Sequence, residues 1–254
     1  MLPPFCHMMA EWAGIMHSSS ARLMIRHTSV SGGARQVVAV LSLALCLGCH
    51  GDLTRYYPLD PGFTWQYRVS LNEGHDLTST RAEIVNMEET HLLGRRTVPQ
   101  RSEMFGQILI RFLAIDGRGV FEYAQQVGDS APTGTEAPNY VLRAPVADGT
   151  TWSSNWQTVK DGRRLSVPTV KAIAAVNETV MVPAGTFADC LRLRITGKVD
   201  VNLRSGPSTI DVQGDEWYAP GVGFIKGTFR ETVNGGHLGT TELRMLLDSF
   251  AKPE

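Results

Sequence analysis

Apolar and polar residues alternate along most of this chain with a period of two. Phe63, Trp65, Tyr67 and Val69 are interleaved with Thr64, Gln66, Arg68 and Ser70. The longest run sets Leu191, Leu193, Ile195, Val199, Val201 and Leu203 against Arg192, Arg194, Thr196, Lys198, Asp200 and Asn202. Successive side chains of a strand point to opposite faces, so this pattern predicts strands with one packed and one wet face. Gly197 interrupts the apolar row and predicts a bulge or bend there. Asp116-Gly117 separates the runs 108–115 and 120–124, and Asp161-Gly162 separates 152–160 from 163–167. Both predict hairpins with type I′ turns, whose central residues need positive φ. Asn234-Gly235-Gly236 predicts a turn before a last strand over 241–247, and Ala219-Pro220-Gly221 a turn with Pro second and Gly third. Arg81 to Leu93 reads as strand, turn, strand. No segment of the body shows a helical period, and Gln126 to Pro138 reads as the one long loop. The fold predicted is all-β with little helix, a curved antiparallel sheet or half-barrel-like meander.

One segment breaks the alternation. Val37 to Leu47 is a short apolar core with Arg35 before it and Gly48-Cys49-His50 after it. A basic flank, a short apolar core and a small residue before the break make a secretory signal. A core of this length falls short of the ~20 apolar residues that span a bilayer. Residues 1–48 are therefore read as a signal-peptide helix, with translation starting at Met24, since the region from Met24 is basic and free of acids. The mature chain, 49–254, is a single antiparallel β domain with two similar halves meeting near 126–138. Cys49 stands where bacterial lipoproteins carry the acylated cysteine, with Cys46 in place of the usual Leu three positions before it. An unlipidated signal peptide and a transmembrane anchor are the alternatives. His50 after the cysteine directs the anchor to the outer membrane, facing the periplasm, in a host with two membranes.

A faint echo supports the two halves. Pro58-Leu59-Asp60-Pro61-Gly62-Phe63-Thr64-Trp65 and Pro145-Val146-Ala147-Asp148-Gly149-Thr150-Thr151-Trp152 share P-[LV]-x-x-G-x-T-W at a spacing of 87 residues. Each copy places a turn before a Trp. Trp65, Trp152 and Trp217, all beside turns, are expected in the core.

Two sets of motifs carry a family resemblance. Tyr56-Tyr57-Pro58-Leu59 with Gly62, Trp65 and Tyr67 resembles the mature N-terminus of a broad group of uncharacterised bacterial lipoproteins. Val182-Pro183-Ala184-Gly185-Thr186-Phe187 with Cys190, and Trp217-Tyr218-Ala219-Pro220-Gly221-Val222-Gly223, are similar to that group's VPAGTF-x-x-C and WYAPGVG segments. The resemblance implies an all-β half-barrel like those of periplasmic lipoprotein carriers. It implies no activity.

Composition narrows the function classes. The chain has 24 basic and 25 acidic residues. Without residues 1–48 it keeps 206 residues and a net charge of −3, since Arg22, Arg26, Arg35 and Glu11 leave with the signal. No basic run remains to meet nucleic acid. With Cys49 acylated, Cys190 is the last thiol of the mature chain and reads as a small apolar filler. In the mature chain His50, His75, His91 and His237 are dispersed and no C-x-x-C or H-x-x-x-H spacing occurs, so no metal ligand set is assigned. Gly221-Val222-Gly223 with Gly227 departs from the dinucleotide fingerprint and lacks a following helix, so no cofactor is assigned. Asp215-Glu216 beside Trp217 is the one tight acidic pair; neighbours on a strand diverge, and it reads as a solvated edge. No catalytic residue is assigned and the chain is read as a non-enzyme. The expected role is a lipid-anchored binding or carrier module for an apolar ligand or an envelope protein. An assembly role in the envelope is the alternative, and a hydrolase with a dispersed site the third reading. A cavity favours the first, a filled core with an exposed patch the second, and convergent titratable groups the third.

Overall fold

The computed structural model describes residues 49–235 and 239–253. The segment read as a signal peptide, together with Gly236 and His237, lies outside the described residues. The described chain is a short helix α1 (Cys49–Tyr56) followed by thirteen strands. These are β1 (Thr64–Glu73), β2 (Asp76–Asn86), β3 (Thr90–Leu92), β4 (Arg95–Met104), β5 (Gln107–Asp116), β6 (Gly119–Val127) and β7 (Thr133–Arg143). There follow β8 (Thr151–Lys160), β9 (Arg163–Val182), β10 (Gly185–Leu203), β11 (Gly206–Ala219), β12 (Gly223–Asn234) and β13 (Gly239–Ala251).

The strands form one curved antiparallel sheet in the order β7-β6-β5-β4-β2-β1-β13-β12-β11-β10-β9-β8, with β3 paired to β4 alone. It is a curved open sheet and not a closed barrel. Its two edge strands, β7 and β8, nevertheless lie side by side. Trp152 Nε1 donates to the Tyr140 carbonyl at 2.9 Å, and Ser154 Oγ donates to Asn139 Oδ1 at 3.3 Å, with no backbone ladder between the two strands.

Two meanders, β1–β7 and β8–β13, build this wall, and their first hairpins repeat one another. Gly62 N donates to Asn86 O and Asn86 N to Phe63 O; 87 residues on, Gly149 N donates to Ile173 O and Ile173 N to Thr150 O. The ladders keep the same spacing: Thr64 faces Val85 and Glu73 faces Asp76, while Thr151 faces Ala172 and Lys160 faces Arg163. Trp65 and Trp152 occupy equivalent places, each buried and each donating its indole N–H to a backbone carbonyl, of Val222 and Tyr140 respectively. The β1 side of the first meander is zipped to β13 from Thr64–Ala251 to Glu73–Thr241. The matching β7–β8 junction is not.

The apolar row of β10 faces inward as its alternation predicts, with Leu191, Leu193 and Ile195 buried. Gly197 marks no bulge. It is the last β10 residue paired with β9, and a Cβ there would lie 2.5 Å from Thr169 Cγ2 and 2.6 Å from the Pro168 carbonyl. The glycine permits close contact with β9.

Several expectations need correction. The little helix expected, which no residue pattern locates, is α1, where Leu53, Tyr56 and Tyr57 share one face of the helix and its end, and all three are buried. A helix of eight residues, little more than two turns, is too short for a helical period to show. The loop read over 126–138 shrinks to residues 128–132, because β6 extends to Val127 and β7 begins at Thr133. Thr135 to Pro138 bulge out of register between the Ala124–Gly134 and Glu122–Asn139 pairs. The turn after Asp116 is not type I′, as neither Asp116 nor Gly117 has positive φ. The Asp116 carboxylate instead accepts the backbone N–H groups of Arg118 and Gly119 at 2.8 and 3.0 Å. Asp161-Gly162 does have positive φ at both residues, as type I′ requires.

Trp217 is only half-buried. It sits on the outer face, donates to Glu178 Oε2 at 2.7 Å, and has the Lys226 ammonium 4.3 Å from its ring centroid. Its neighbour Tyr218 takes the inward position instead.

Candidate functional site

The wrapped sheet encloses a cavity of about 210 Å³. Side chains from nearly every strand of the wall line it, and they divide into two sides. Trp65 and Tyr67 of β1, Ala82 and Ile84 of β2, Phe224 and Phe229 of β12, and Leu243 and Met245 of β13 make an apolar wall. Opposite, on the strands that flank the β7–β8 seam, are Gln100, Arg111, Glu122, Asn139, Ser154, Lys171, Glu216 and Tyr218.

The end near α1 is closed by a hydrogen-bonded chain. Arg111 Nη2 donates to Gln100 Oε1 at 2.5 Å and to Tyr57 Oη at 3.2 Å, and Tyr57 Oη donates to Gln100 Oε1 at 3.2 Å. Gln100 Nε2 donates to Asn86 Oδ1, and Asn86 Nδ2 donates to the carbonyls of Pro58 and Asp60. This chain fixes the guanidinium of Arg111 without presenting it to a carboxylate.

Across the cavity Lys171 Nζ pairs with Glu216 at 3.2 Å, and Tyr218 Oη donates to the same carboxylate at 2.9 Å. Glu216 is thus a cavity residue and not part of a solvated edge. Asp215, next to it, points outward toward Arg192 and Arg194, so strand alternation does part the acidic pair.

Glu122 differs from every other charged group inside the sheet. It is 6% exposed, it lines the cavity, and among the described residues its carboxylate has no hydrogen-bond or ion-pair partner. Burial raises its pKa above the ordinary value, partly opposed by the charges of Arg111 and Lys171. Burial likewise raises the Tyr57 hydroxyl, and carries that of Tyr218 well above its usual range with help from Glu216.

A second buried glutamate provides the contrast. Glu231 on β12 accepts Trp156 Nε1 at 2.9 Å and Thr158 Oγ1 at 3.0 Å, and pairs with Lys160 Nζ at 2.6 Å. All three donors sit on β8. Their partner strand is four places away in the sheet, so these bonds cross the interior and cinch the wall together. A saturated buried carboxylate of this kind is structural; the Glu122 carboxylate, unpartnered and open to the cavity, is not held in that way.

Sequence reasoning did not single out Arg111, Glu122 or Lys171. Each interrupts an apolar run: Arg111 follows Ile108-Leu109-Ile110, Glu122 follows Val120-Phe121, and Lys171 sits between Val170 and Ala172-Ile173. A charge inside an apolar strand was the available signal, since buried charges are rare unless they serve a purpose.

The residues that sequence reasoning did name stand elsewhere. Cys49 begins α1. Leu53, four residues on and fully buried, packs with Val120, Phe121 and Leu142. Cys190 is buried on β10, where burial pushes its pKa up to about 11 and its Sγ donates to the Phe187 carbonyl. His75 and His91 are exposed, in the β1–β2 turn and on β3. Gly221 and Gly223, both with positive φ, shape the β11–β12 turn, in which Val222 N donates to Ala219 O. Among the described residues no group of three or more His, Cys, Asp and Glu stands close enough to hold a metal ion, and no helix is long and apolar enough to cross a membrane.

No family model and no curated protein matches the chain. Solved structures to which it is similar include a provisionally assigned lipoprotein from Parabacteroides distasonis, 15% identical over 76% of this chain and 97% of that one, with a TM-score of 0.35. Another is a provisionally assigned exported protein with a YmcC-like fold from Bacteroides fragilis, 15% identical over 77% and 98%, with a TM-score of 0.39. A third is the hypothetical lipoprotein YmcC of Escherichia coli, 14% identical over 82% and 91%, with a TM-score of 0.34.

Proposed function

We propose that this chain is an exported envelope lipoprotein that binds a small amphiphilic or apolar ligand inside its curved sheet. The observation that carries the binding role is the cavity itself, apolar on one wall and holding a bare, buried carboxylate on the other. A cavity that served only packing would be filled or uniformly apolar, because an unpaired buried charge costs stability. The anchor rests on the apolar core 37–47 and Cys49. Cys49 opens a helix that docks on the sheet through Leu53, so the lipid would hold the sheet within a few residues of the membrane surface. The outer membrane, reached from the periplasm, is the proposed location.

The titratable groups in the cavity also bear on the hydrolase reading. They support binding better than catalysis. Arg111 is held by neutral acceptors, Lys171 is paired with Glu216, and among the described residues no histidine or cysteine lines the cavity. Its two serines bond elsewhere, Ser102 Oγ to the Leu109 carbonyl and Ser154 Oγ to Asn139. Neither serine has a base beside it, and the Tyr218 hydroxyl, which does have Glu216 beside it, is pushed by burial well above its usual range and kept protonated.

Native mass spectrometry of the gently purified protein tests the binding role. A co-purifying small amphiphile that is lost from Ala82→Trp, a variant that fills the apolar wall, is the expected result. Equal occupancy in both proteins would place the ligand outside the cavity.

A further inference from the structure

Resting on that reading, we infer that the cavity takes a short-chain amphiphile with a carboxylic acid head, bound at Glu122 between Arg111 and Lys171 with its chain against Trp65, Ile84 and Met245. Three features point to that head group.

First, both oxygens of Glu122 are unpartnered and neither is fully buried, so they open onto the cavity, where a ligand can meet them. Second, its charged neighbours select the sign. Arg111 on β5 and Lys171 on β9 both act on Glu122 through their positive charge, so an ammonium head brought to the carboxylate would be repelled by two cations. An anionic head is attracted by the same two. The other ionisable groups lining the cavity are the Tyr57, Tyr67, Tyr140 and Tyr218 hydroxyls, all raised by burial and neutral at ordinary pH, and Glu216, already paired with Lys171. Third, an acid brings a proton-sharing partner. The ligand enters as a carboxylate, Glu122 takes one proton from solvent, and the resulting O–H donates to the ligand oxygen. Two cations then face two negative charges, those of the ligand and Glu216, and neither carboxyl of the new pair is left bare.

The cavity sets the length. At the ~30 Å³ that one water takes up in the liquid, about 210 Å³ has room for on the order of seven water-sized groups. Octanoic acid, whose chain has seven carbons beyond the carboxyl that meets Glu122, is therefore the probe, and octan-1-ol its uncharged control.

The test is calorimetric titration of the full-length chain carrying Cys49→Ser, which needs no detergent to compete for the cavity. Octanoate should bind more tightly than octanol, and its affinity should weaken as pH rises from 5 to 9, approaching about tenfold per pH unit at the steepest. Octanol binding should not change with pH. In Glu122→Gln, octanoate should still bind with the pH dependence abolished. Octanol binding as tightly as octanoate, or a pH slope that survives Glu122→Gln, overturns the head-group assignment while the cavity remains a ligand site. Binding of neither probe overturns the assignment together with the reading it rests on.

Discussion

The indole N–H of Trp152 donates to the Tyr140 carbonyl across the one junction of the wrapped sheet that has no backbone ladder. Its counterpart Trp65, 87 residues earlier, stands beside the fully zipped β1–β13 junction and spends its N–H on Val222. Two similar meanders thus meet twice around the cavity, once sealed and once held by side chains.

Trp152→Phe keeps an aromatic ring in the core but leaves the Tyr140 carbonyl without its donor. We expect a loss of about 1–3 kcal/mol, the ordinary cost of an orphaned buried acceptor, read from the urea midpoint. Amide exchange should quicken on β7 before it does on β1. Equal quickening on both strands would show that the seam is no weaker than the zipped junction.

The two buried glutamates should respond in opposite ways. Glu231→Gln strips Lys160 of its partner inside the sheet and should cost about 3–5 kcal/mol, as breaking a buried pair does. Glu122→Gln removes a bare charge and should leave the protein at least as stable as before.

The pH dependence follows from the raised pKa of Glu122. A carboxyl whose folded pKa lies above its unfolded value of about 4.3 favours folding when protonated. That contribution is complete below the unfolded pKa and is lost as pH rises through the folded one. The stability of Glu122→Gln relative to the parent protein should therefore climb with pH in that window and then level off. A difference that stays flat from pH 3 to 8 would mean that Glu122 is not held in a charge-averse site.

Much of the wall was legible in the sequence because its rules are local. The β10 row from Leu191 to Leu203 fixed which residues face inward, Asp161-Gly162 fixed a type I′ hairpin, and the P-[LV]-x-x-G-x-T-W echo marked two equivalent strand starts. The site was not legible, because rolling the sheet creates it. Arg111, Glu122, Lys171 and Glu216 come from β5, β6, β9 and β11 and meet only when the edge strands β7 and β8 come together. Trp217 and Tyr218 are a different case. Here the signal was present and local: β11 alternates without a break, with Ile210, Val212, Glu216 and Tyr218 inward, and that period places Trp217 on the outer face despite its neighbouring turn.

The proposed anchor makes membrane attachment depend on one atom, the Cys49 sulfur. Cys49→Ser should move the protein from the membrane to the soluble periplasmic fraction and abolish fatty-acid labelling. The sheet itself should keep its thermal midpoint, since Leu53, Tyr56 and Tyr57 still dock α1. A variant that stays with the membrane would show that something other than a lipid holds it.

The central claim is that the interior of the sheet is a ligand site, and backbone amide chemical shifts report on it most directly. On titration with octanoate, the account predicts saturable changes confined to the cavity strands, strongest at Arg111, Glu122 and Lys171 and absent in Ala82→Trp. Changes confined to the outer face around Trp217 and Arg192, or none at all with the interior amides silent, would contradict it.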